Sequence, residues 1–452
     1  GMLAALIPEF RAVDSLVVRD FYHRYTVDEH TFRAIQTLSD LKRAAQQGGG
    51  DAEGLNPWRR KFGEIYAELE RPGVLALALL LHDVGKGMAA ESHVEGSVQA
   101  AQSVCARLGL DPPDSESVIF LIGSHLEMSS TVARRDIFDP ETLRAFAQKT
   151  GAPERLKMLC LMTYADVNAV NPEAMTPWKA EMLWQLYAMT ENYFTRSVDQ
   201  ERLAPSSEAA IHAIPAAGGE SGLDAFLNGF PRRYLAAHSP SEVGEHFAWA
   251  QRIAQNPVTV KVRRREAYSE LTALAVDRPL LFASISGALA AWGMNILKAE
   301  AYANRAGIVL DVFRFHDLHR TLELNPSEIT RLEESVAQVL SGNTNVATLM
   351  QGRMNPRGAP RSKIKIPAQL GFDDGSSSRC TILELVAEDR PGLLYQVSAT
   401  LAELGCNIEV ALVETEAQKA LDVFYLTANS AKLLPELQQA IRRALLQKLA
   451  RP

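Results

Sequence analysis

The chain has 452 residues, carries a net charge of -7 and contains no block of basic residues, so a nucleic-acid backbone is not expected as its main partner. A hydrophobic fraction of 47% and a charged fraction of 22% are typical of globular proteins, and the length predicts about two to four domains. The apolar run of residues 74–81 is too short to cross a bilayer, and the N-terminus does not resemble a signal peptide. The four cysteines are scattered without a CxxC pair, which indicates reduced thiols in a cytoplasmic protein.

Residues 1–200 predict an all-α domain. Apolar residues recur there at helical spacing, and the predicted helices lie over residues 74–82, 95–108, 117–128, 153–170 and 177–198. The first of these helices ends in His82 and Asp83, and the chain then breaks on two glycines with Lys86 between them. A buried imidazole beside a buried carboxylate costs free energy unless something pairs with them, and a divalent metal ion would supply that pairing.

Six residues of this domain carry side chains of the kind that bind divalent metals. They are His30, His82, Asp83, His93, His125 and Asp166. Imidazole and carboxylate donors without a thiolate suit Zn, Fe, Mn or Mg, and helices that converge in a bundle are a known way to build such a site. Because consecutive residues of a helix point about 100 degrees apart, Asp83 can lie between two metal ions while His82 binds one.

Each candidate also has a structural interpretation. A single buried histidine is more often a core residue than a ligand. His93 and His125 could contact a substrate phosphate without a second metal. Lys86 can complement the dipole at the end of its helix instead of acting in catalysis. Arg134 and Arg135 could hold a phosphate bidentately, or they could form surface salt bridges.

The second half of the chain contains a repeat. Residues 201–257 predict a helical linker region, and β-branched alternation begins at about residue 258. Asp277-Arg-Pro recurs as Asp389-Arg-Pro, and Gly293-Met-Asn recurs as Gly405-Cys-Asn, each 112 residues later. This constant offset indicates a duplicated domain with the predicted order β-α-β-β-α in each copy.

The two copies are predicted to cover residues 258–349 and 350–452, with residues 350–378 as the connection. Lys363–Ile366 predicts a strand that leads the second copy, as residues 258–262 lead the first. We expect each leading strand to take the sheet position that a trailing strand would otherwise fill.

The ligand pattern resembles the HD phosphohydrolase superfamily, which has a first histidine, a His-Asp doublet, further histidines and a distal aspartate. Longer stretches are similar to the bacterial PII uridylyltransferase/uridylyl-removing enzyme family. These are Tyr22-His-Arg-Tyr-Thr-Val-Asp-Glu-His30, His82-Asp-Val-Gly-Lys-Gly87, His125-Leu-Glu-Met-Ser and Arg134-Arg-Asp-Ile-Phe-Asp-Pro140. The duplicated Asp-Arg-Pro domains resemble the tandem ACT domains of that family. The implied fold class is a multidomain protein with an all-α HD-type helical domain followed by two α+β ferredoxin-like ACT domains.

The resemblance implies a metal-dependent phosphodiesterase that removes UMP from the uridylylated PII signalling protein. It implies two divalent metal ions, the first held by His30, His82, Asp83 and Asp166, and the second by His93 and His125 with Asp83 bridging. Water activated between the metals would attack phosphorus, and Lys86, Arg134 or Arg135 would stabilise charge on the phosphoryl oxygens. The nucleotidyltransferase motif of the family is not found in these 452 residues, so we expect no nucleotidyl transfer from this chain.

ACT domains bind amino acids at domain interfaces through the Asp-Arg-Pro loop and the Asn of the next strand, and the family resemblance implies glutamine as the effector. The candidate residues are Asp277, Asn295, Asp389 and Asn407. The alternative interpretation is structural, since an Asp before a Pro-opened helix can simply cap the helix. The first copy has Leu280 where the second has Gly392, and a side chain there narrows the loop, so binding is expected less for the first copy.

Two other functions fit the sequence. One is a stand-alone HD phosphohydrolase of a small nucleotide, and HD and ACT domains also occur together in enzymes of alarmone metabolism, although their local motifs match less well. The other is a non-catalytic sensor of PII or of an amino acid whose metal site is vestigial. The intact set of metal ligands argues against the sensor.

Overall fold

The computed structural model of the protein describes residues 2–18, 24–46, 56–198, 220–353, 366–416 and 418–450. The chain forms two compact units. The first contains residues 1–133 and 143–200, and the second contains residues 134–142 and 201–452. Among the described residues, no helix combines the length and the apolar character that crossing a membrane requires.

The first unit is helical in its described part. Its helices are α1 (Met2–Leu6), α2 (Val27–Gln46), α3 (Pro57–Ala67), α4 (Pro72–Leu81), α5 (His93–Leu108), α6 (Pro112–Ser124), α7 (Glu127–Arg134), α8 (Pro140–Thr150), α9 (Pro153–Val170) and α10 (Pro177–Val198). Helix α8 begins in the segment that is assigned to the second unit. Two short 3₁₀ helices cover Pro8–Val13 and Val84–Gly87. Proline stands in the first turn of several of these helices, where its fixed φ suits the helix and its missing N–H costs nothing.

Helix α4 lies in the core of the first unit. It is apolar on every side, and Leu75, Leu79 and Leu81 are completely buried. A helix without a polar face is stable only when other elements surround it. The predicted helix over residues 74–82 therefore exists, and it ends at Leu81 with His82 as the residue that closes it.

The second unit contains an eight-stranded antiparallel sheet with the order β1-β2-β4-β3-β7-β8-β6-β5. Its strands are β1 (Val258–Arg264), β2 (Ser269–Val276), β3 (Asn295–Ala303), β4 (Ile308–His316), β5 (Gln369–Asp373), β6 (Thr381–Glu388), β7 (Asn407–Glu416) and β8 (Lys419–Thr427). Its helices are α11 (Glu220–Leu227), α12 (Arg232–Ala237), α13 (Pro240–Ala250), α14 (Leu281–Ala291), α15 (Thr321–Leu324), α16 (Ser327–Leu340), α17 (Val346–Arg353), α18 (Leu393–Glu403) and α19 (Pro435–Leu449).

The two leading strands lie at the edges of this sheet. Strand β1 pairs with β2, and β5 pairs with β6, so each takes the outer position beside the first long strand of its repeat. The position of the second leading strand differs from the prediction. Residues 363–365 lie outside the described part of the chain, Ile366 is not in a strand, and the leading strand is Gln369–Asp373.

Equivalent residues of the two repeats meet where the repeats join. In the pairing of β3 with β7, Ala299 stands opposite Ala411, which is its counterpart 112 residues later. On the helical layer, the hydroxyl oxygens of Ser286 and Ser398 are 3.3 Å apart, and these residues are also counterparts. Contact between equivalent positions is the mark of a two-fold interface, so the repeats are arranged as the subunits of a symmetric dimer would be.

The two faces of the sheet are buried in different ways. One face packs apolar side chains such as Phe313 and Phe424 against helices α14, α16, α18 and α19. The opposite face carries charges as well as apolar groups. There, Arg314 donates to Glu300 at 2.6 Å and to Glu270 at 3.1 Å, and all three side chains are buried. Buried charges of this kind are held in place by their partners, because leaving one unpaired costs several kcal/mol.

Each repeat also contains one isolated buried carboxyl group. Asp311 and Asp422 occupy corresponding positions on β4 and β8, and both have carboxyl oxygens without a hydrogen-bond partner among the described residues. Burial, with a smaller contribution from Asp277, raises the pKa of Asp311 to about 8. Burial and the nearby Asp389 likewise raise the pKa of Asp422 to about 8. Both groups are therefore neutral acids in the folded protein at neutral pH.

The loops before α14 and α18 have left-handed residues at equivalent positions. Leu280 has φ +66 and Gly392 has φ +82. A left-handed conformation is ordinary for glycine and unfavourable for leucine. Leu280 is 42% exposed, so its side chain does not fill the loop. A Cβ atom on Gly392 would lie 2.9 Å from the methyl carbon of Met350, which covers this loop from α17.

Substitution of Asp422 by Asn is expected to stabilise the protein increasingly as the pH rises. An unfolded Asp has a pKa of about 3.9, whereas the folded group titrates at about 8. Wild-type stability therefore falls between about pH 4 and pH 8, by up to about 1.4 kcal/mol per pH unit for this group. Urea unfolding at about pH 5 and about pH 8 measures the effect, and Asp224→Asn, at an exposed position of α11, is the control. If the free energy of unfolding changed equally between about pH 5 and about pH 8 in wild type and in Asp422→Asn, the raised pKa of Asp422 would be contradicted.

Substitution of Gly392 by Ala is expected to lower the free energy of unfolding by about 1–2 kcal/mol, the cost of a left-handed conformation for a residue with a Cβ atom. Gly352→Ala on α17 is the matched control, since nothing lies within 4 Å of its added Cβ. The control is expected to be stabilising by about 0.5–1 kcal/mol, because alanine favours a helix. Chemical denaturation of both variants provides the comparison, and equal stabilities would rule the explanation out.

Candidate metal centre

The six predicted metal ligands come together in the first unit. Helices α2, α4, α5, α6 and α9 supply them or lead directly into them. Their donor atoms form two groups, within each of which the atoms lie within 4.8 Å of one another. These groups are His30, His82 and Asp166, and Asp83, His93 and His125. The chain therefore offers two adjacent sets of three donors, each with one carboxylate and two imidazoles.

Asp83 faces both groups. Its Oδ2 atom lies 3.6 Å from Nε2 of His30 and 3.4 Å from Nε2 of His82. Its Oδ1 atom lies 3.9 Å from Nε2 of His93. The Lys86 ammonium donates to Oδ2 at 2.7 Å. One buried carboxylate thus connects the two donor groups and holds the nearby lysine.

Backbone carbonyl groups orient two of the imidazoles. Nδ1 of His82 lies 2.8 Å from the carbonyl oxygen of Leu79, and Nδ1 of His125 lies 2.8 Å from that of Ile122. A carbonyl oxygen can only accept, so each Nδ1 carries the proton and donates it. In a neutral ring this leaves the lone pair on Nε2, which points to the other donors, and ligating histidines are commonly fixed in this way.

The charges of the centre call for a cation. Nε2 of His30 lies 3.3 Å from Nε2 of His82, and such atoms approach favourably only with a proton or a cation between them. Burial lowers the pKa of His82, but Asp83 and Asp166 outweigh it and raise that pKa to about 10. The pKa of Asp83 is held low because His82 and Lys86 outweigh the effect of burial. Burial raises the pKa of Asp166, but its hydrogen bonds to His30 and His82 outweigh burial and hold that pKa well below its usual range.

The second group is less charged and more accessible. Burial lowers the pKa of His93 and of His125, so both rings are neutral at neutral pH. His93 is 32% exposed, whereas His30, His82, Asp83 and His125 are almost completely buried. Neutral imidazoles beside carboxylates are suitable donors for Zn, Fe or Mn. The donor set and its orientation therefore fit divalent metal ions, and His93 is the most exposed of the six donors.

Gly85 is a residue of this centre that the sequence analysis did not select. Its N–H donates to the Ser97 hydroxyl at 2.9 Å, and the backbone of α5 packs directly against it. An added Cβ atom would lie 2.0 Å from the carbonyl oxygen of His93 and 2.5 Å from the N–H nitrogen of Ser97. Only glycine lets the chain after Asp83 pass this close to the start of α5. The signal in the sequence is the glycine directly after His82-Asp83-Val.

Two of the predicted catalytic residues belong to the second unit. The Arg135 guanidinium pairs with Glu384 at 2.9 Å and with Asp373 at 3.3 Å. A role of Arg135 in phosphate binding would require these ion pairs to break. Arg134 is exposed, and its carbonyl group accepts a hydrogen bond from Arg135 at 3.0 Å. Of the three predicted cations, Lys86 is the one that lies beside the candidate metal ligands.

The four predicted effector residues lie at two opposite ends of the sheet. Strand β3 runs antiparallel to β7, so Asn407 at the start of β7 lies at the sheet end where β3 finishes. Asp277 lies at that end, since its N–H donates to the carbonyl oxygen of Gly307 in the turn after β3 at 2.8 Å. Asn295 lies at the other end of β3. It is therefore far from Asp277, although both residues belong to the same repeat.

The second combination is equivalent. Thr415, near the end of β7, lies at the sheet end where β3 begins with Asn295. The Thr415 hydroxyl donates to the carboxylate of Asp389 at 3.2 Å. Asp389 and Asn295 therefore share one end of the sheet, and Asp277 and Asn407 share the other. Each end of the sheet thus brings together the loop Asp of one repeat and the Asn of the other, and binding of an effector there stays a prediction.

Comparisons with known proteins agree with the motifs. The profile of the ACT domain matches residues 381–445. The region before it is helical in its described part, and the matched region belongs to the antiparallel sheet. The protein therefore combines a helical region with an ACT-containing sheet.

Curated relatives then identify the family. The chain is 33% identical over 463 residues to the bifunctional uridylyltransferase/uridylyl-removing enzyme of Nitrobacter winogradskyi, covering 100% of this chain and 48% of that protein. It is 31% identical over 434 residues to the enzyme of the same name from Gluconobacter oxydans, covering 94% and 45%. It is 31% identical over 462 residues to that of Azospirillum brasilense, covering 100% and 48%. The predicted relationship to this family is confirmed, and the chain spans about half the length of the curated relatives it matches.

Substitution of Gly85 by Ala is expected to weaken metal binding although no ligand is changed. The added methyl group would displace the start of α5 and move His93 away from Asp83. Titration of the metal-free protein with Mn²⁺, followed by calorimetry, measures the loss, which we expect to be about 10-fold or more, as for changes in the supporting shell of a metal site. Gly123→Ala on α6 is the control, since its added Cβ would make only an ordinary contact with Val98 at 3.8 Å. Equal affinities for both variants would contradict the role of Gly85.

Proposed function

We propose that the first unit is an HD-type, metal-dependent phosphodiesterase that removes UMP from uridylylated PII. We also propose that the second unit contains two ferredoxin-like ACT domains that regulate this reaction in response to glutamine. The observation that carries the proposal is the pair of adjacent three-donor groups, one of which contains Asp83 while the other lies beside its Oδ2 atom. A structural cluster has no need of a second group, whereas a pair of metal sites is a recurring arrangement in enzymes that cleave phosphate esters.

The residues of the centre would hold the two metal ions in the following way. His30, His82 and Asp166 would hold one ion, and His93 and His125 the other, with Asp83 bridging. When bound, such ions lower the pKa of a coordinated water molecule and neutralise charge on phosphoryl oxygens. The protein contributes the fixed orientation of the rings, through the carbonyl groups of Leu79 and Ile122.

Lys86 has a role that its present contact supports. Its ammonium donates to Oδ2 of Asp83 at 2.7 Å, and its side chain is 16% exposed. With the charge of Asp83 balanced by bound metal, the Lys86 ammonium would be available to interact with a phosphoryl oxygen of the substrate. His93, the most exposed of the ligands, lies on the side from which the substrate would enter.

The substrate is proposed from the names of the relatives. These proteins are named for both the transfer and the removal of a uridylyl group. The centre described above is hydrolytic in character, since it offers metal ligands and a cation. The uridylyl group of PII is carried on a tyrosine, whose phenolate leaves readily, so a strong general acid is not required.

The regulation is proposed from the sheet. Each composite site contains an Asp-Arg-Pro loop at the N-terminus of a helix from one repeat and an Asn from the other. The N–H groups at a helix N-terminus suit the carboxylate of an amino acid. Glutamine bound between the repeats would therefore contact both of them at once and fix their relative arrangement.

The expected result for the enzyme is release of UMP from uridylylated PII in the presence of Mn²⁺, and loss of this release in Asp83→Asn. The substitution removes the charge that the two metal ions would share while preserving the shape of the side chain, and we expect a fall of about 1000-fold or more, the scale of losing a group that stabilises transition-state charge. Chromatographic quantification of UMP measures the rate. Asp40→Asn, at a carboxylate on α2 paired with Arg43, is the control and should retain activity.

Three outcomes decide between the proposal and its alternatives. Release that is unchanged in Asp83→Asn would contradict the metal centre. Hydrolysis of small nucleotides without release from PII would instead indicate a stand-alone phosphohydrolase. Absence of bound metal after supplementation, together with tight binding of glutamine, would indicate a sensor.

A further inference from the structure

The loop between α7 and α8 has a place in the second unit that its sequence position does not suggest. Residues 134–142, here called the coupling segment, are grouped with the sheet, while the residues on both sides of them belong to the first unit. The segment is anchored by its side chains and its backbone. Arg135 pairs with Glu384 on β6, and the backbone N–H of Asp136 donates to the Tyr425 hydroxyl on β8 at 2.8 Å.

A buried ionic contact fixes the centre of the segment. The ammonium of Lys298 on β3 lies 3.1 Å from Oδ1 of Asp136 and 3.2 Å from Oε1 of Glu300. Lys298 and Asp136 are each 2% exposed, and Glu300 is 1% exposed. The same ammonium lies 4.5 Å from the centre of the Phe138 ring. Separating charges at this depth leaves them unpaired at a cost of several kcal/mol, so the segment must follow the sheet when the sheet moves.

The anchors lie on both sides of the junction between the repeats. Lys298 is on β3 of the first repeat, where it stands opposite Leu412 of β7. Tyr425 is on β8 of the second repeat, where it pairs with Val410 of β7. Pairing between β3 and β7 is confined to residues 298–300 and 410–412, whereas β7 and β8 pair over their whole lengths. The junction is therefore the most weakly paired line of the sheet, and Asp136 contacts residues on both of its sides.

The segment is covalently continuous with the metal centre. Helix α7 ends at Arg134, at the start of the segment, and it begins at Glu127, two residues after His125. The imidazole of His125 is oriented by a hydrogen bond from its Nδ1 to the carbonyl group of Ile122, at the end of α6. A displacement of Asp136 is thus separated from a proposed metal ligand by a single helix of eight residues.

We propose that residues 134–142 transmit the state of the repeat junction to His125, so that an amino acid bound between the repeats changes the hydrolytic rate through the contacts of Asp136 with Lys298 and Tyr425. The inference rests on the proposed function for the reaction that is regulated. Asp136, Lys298 and Tyr425 are positioning residues in this account, since they would act on the reaction through His125 and not by contact with the substrate.

The test compares two matched substitutions of buried tyrosines on the same sheet. Tyr425→Phe removes the hydroxyl that accepts from the N–H of Asp136. Tyr302→Phe, the control, removes a buried hydroxyl that has no hydrogen-bond partner in the described part of the chain. A further variant, Asp136→Asn with Lys298→Met, removes both charges together, although it leaves Glu300 to its contact with Arg314. Each variant is first checked for cooperative unfolding.

Rates of UMP release from uridylylated PII are then measured with and without saturating L-glutamine. We expect rates without glutamine within about 2-fold of wild type for all variants. We expect the glutamine-dependent change to be lost in Tyr425→Phe and in the double variant, and to persist in Tyr302→Phe. Hydrogen exchange of residues 127–139, with and without glutamine, is the second measurement. We expect glutamine to change this exchange in Tyr302→Phe, as in wild type, and to leave it unchanged in Tyr425→Phe.

The two measurements separate the two proposals. A full glutamine response in folded Tyr425→Phe and in the double variant would overturn the role of the segment, as would a wild-type protein in which glutamine alters neither the rate nor the exchange. If wild type releases no UMP but glutamine changes the exchange of residues 127–139 through Tyr425, the proposed reaction fails and the coupling stands.

Discussion

A carboxylate that is buried at Asp83 must be neutralised where it stands, and the first unit is arranged around this requirement. Its two oxygens face different groups, with His30, His82 and Lys86 on one side and His93 on the other. An apolar helix delivers the residue to the core, and a close approach at Gly85 brings the start of α5 to it. Without positive partners the burial of this group would cost several kcal/mol. The same environment favours a positively charged group beside Asp83.

The sequence predicted the parts of the protein that local residues determine. The apolar helix before His82 and Asp83, the helix that carries Asp166 and the repeat offset all follow from neighbouring residues, and the structure shows them close to their predicted positions. The helix predicted over residues 117–128 is wrong in its bounds, because α6 spans Pro112–Ser124 and ends just before His125, and α7 begins at Glu127. The six ligands could be selected because side-chain type, order and local motif agreed. Gly85 was missed because its importance lies in a contact with the backbone of His93, which no spacing along the chain reveals.

Contacts between residues that are far apart in the chain could not be predicted from the sequence. The ion pairs of Arg135 join residues far apart in the chain, so the pattern around it could be interpreted equally well as a phosphate site or as a surface pair. The pairing of β3 with β7 determines that Asp277 shares its end of the sheet with Asn407 of the other repeat. The motif alone places Asp277 with Asn295, because both lie in the same copy. The second leading strand begins at Gln369, where the predicted β-branched alternation had already ended.

The symmetry between the repeats is incomplete at their loops, where Met350 packs over Gly392 while the equivalent Leu280 is 42% exposed. It is complete at their contact, where Ser286 meets Ser398 and Ala299 meets Ala411. A surface in which equivalent positions touch is one that two separate identical molecules could make. Here both halves belong to one chain, so their association is intramolecular and does not depend on the concentration of the protein. A signal read at this contact would therefore report the effector level alone, whether the cell holds few copies of the protein or many.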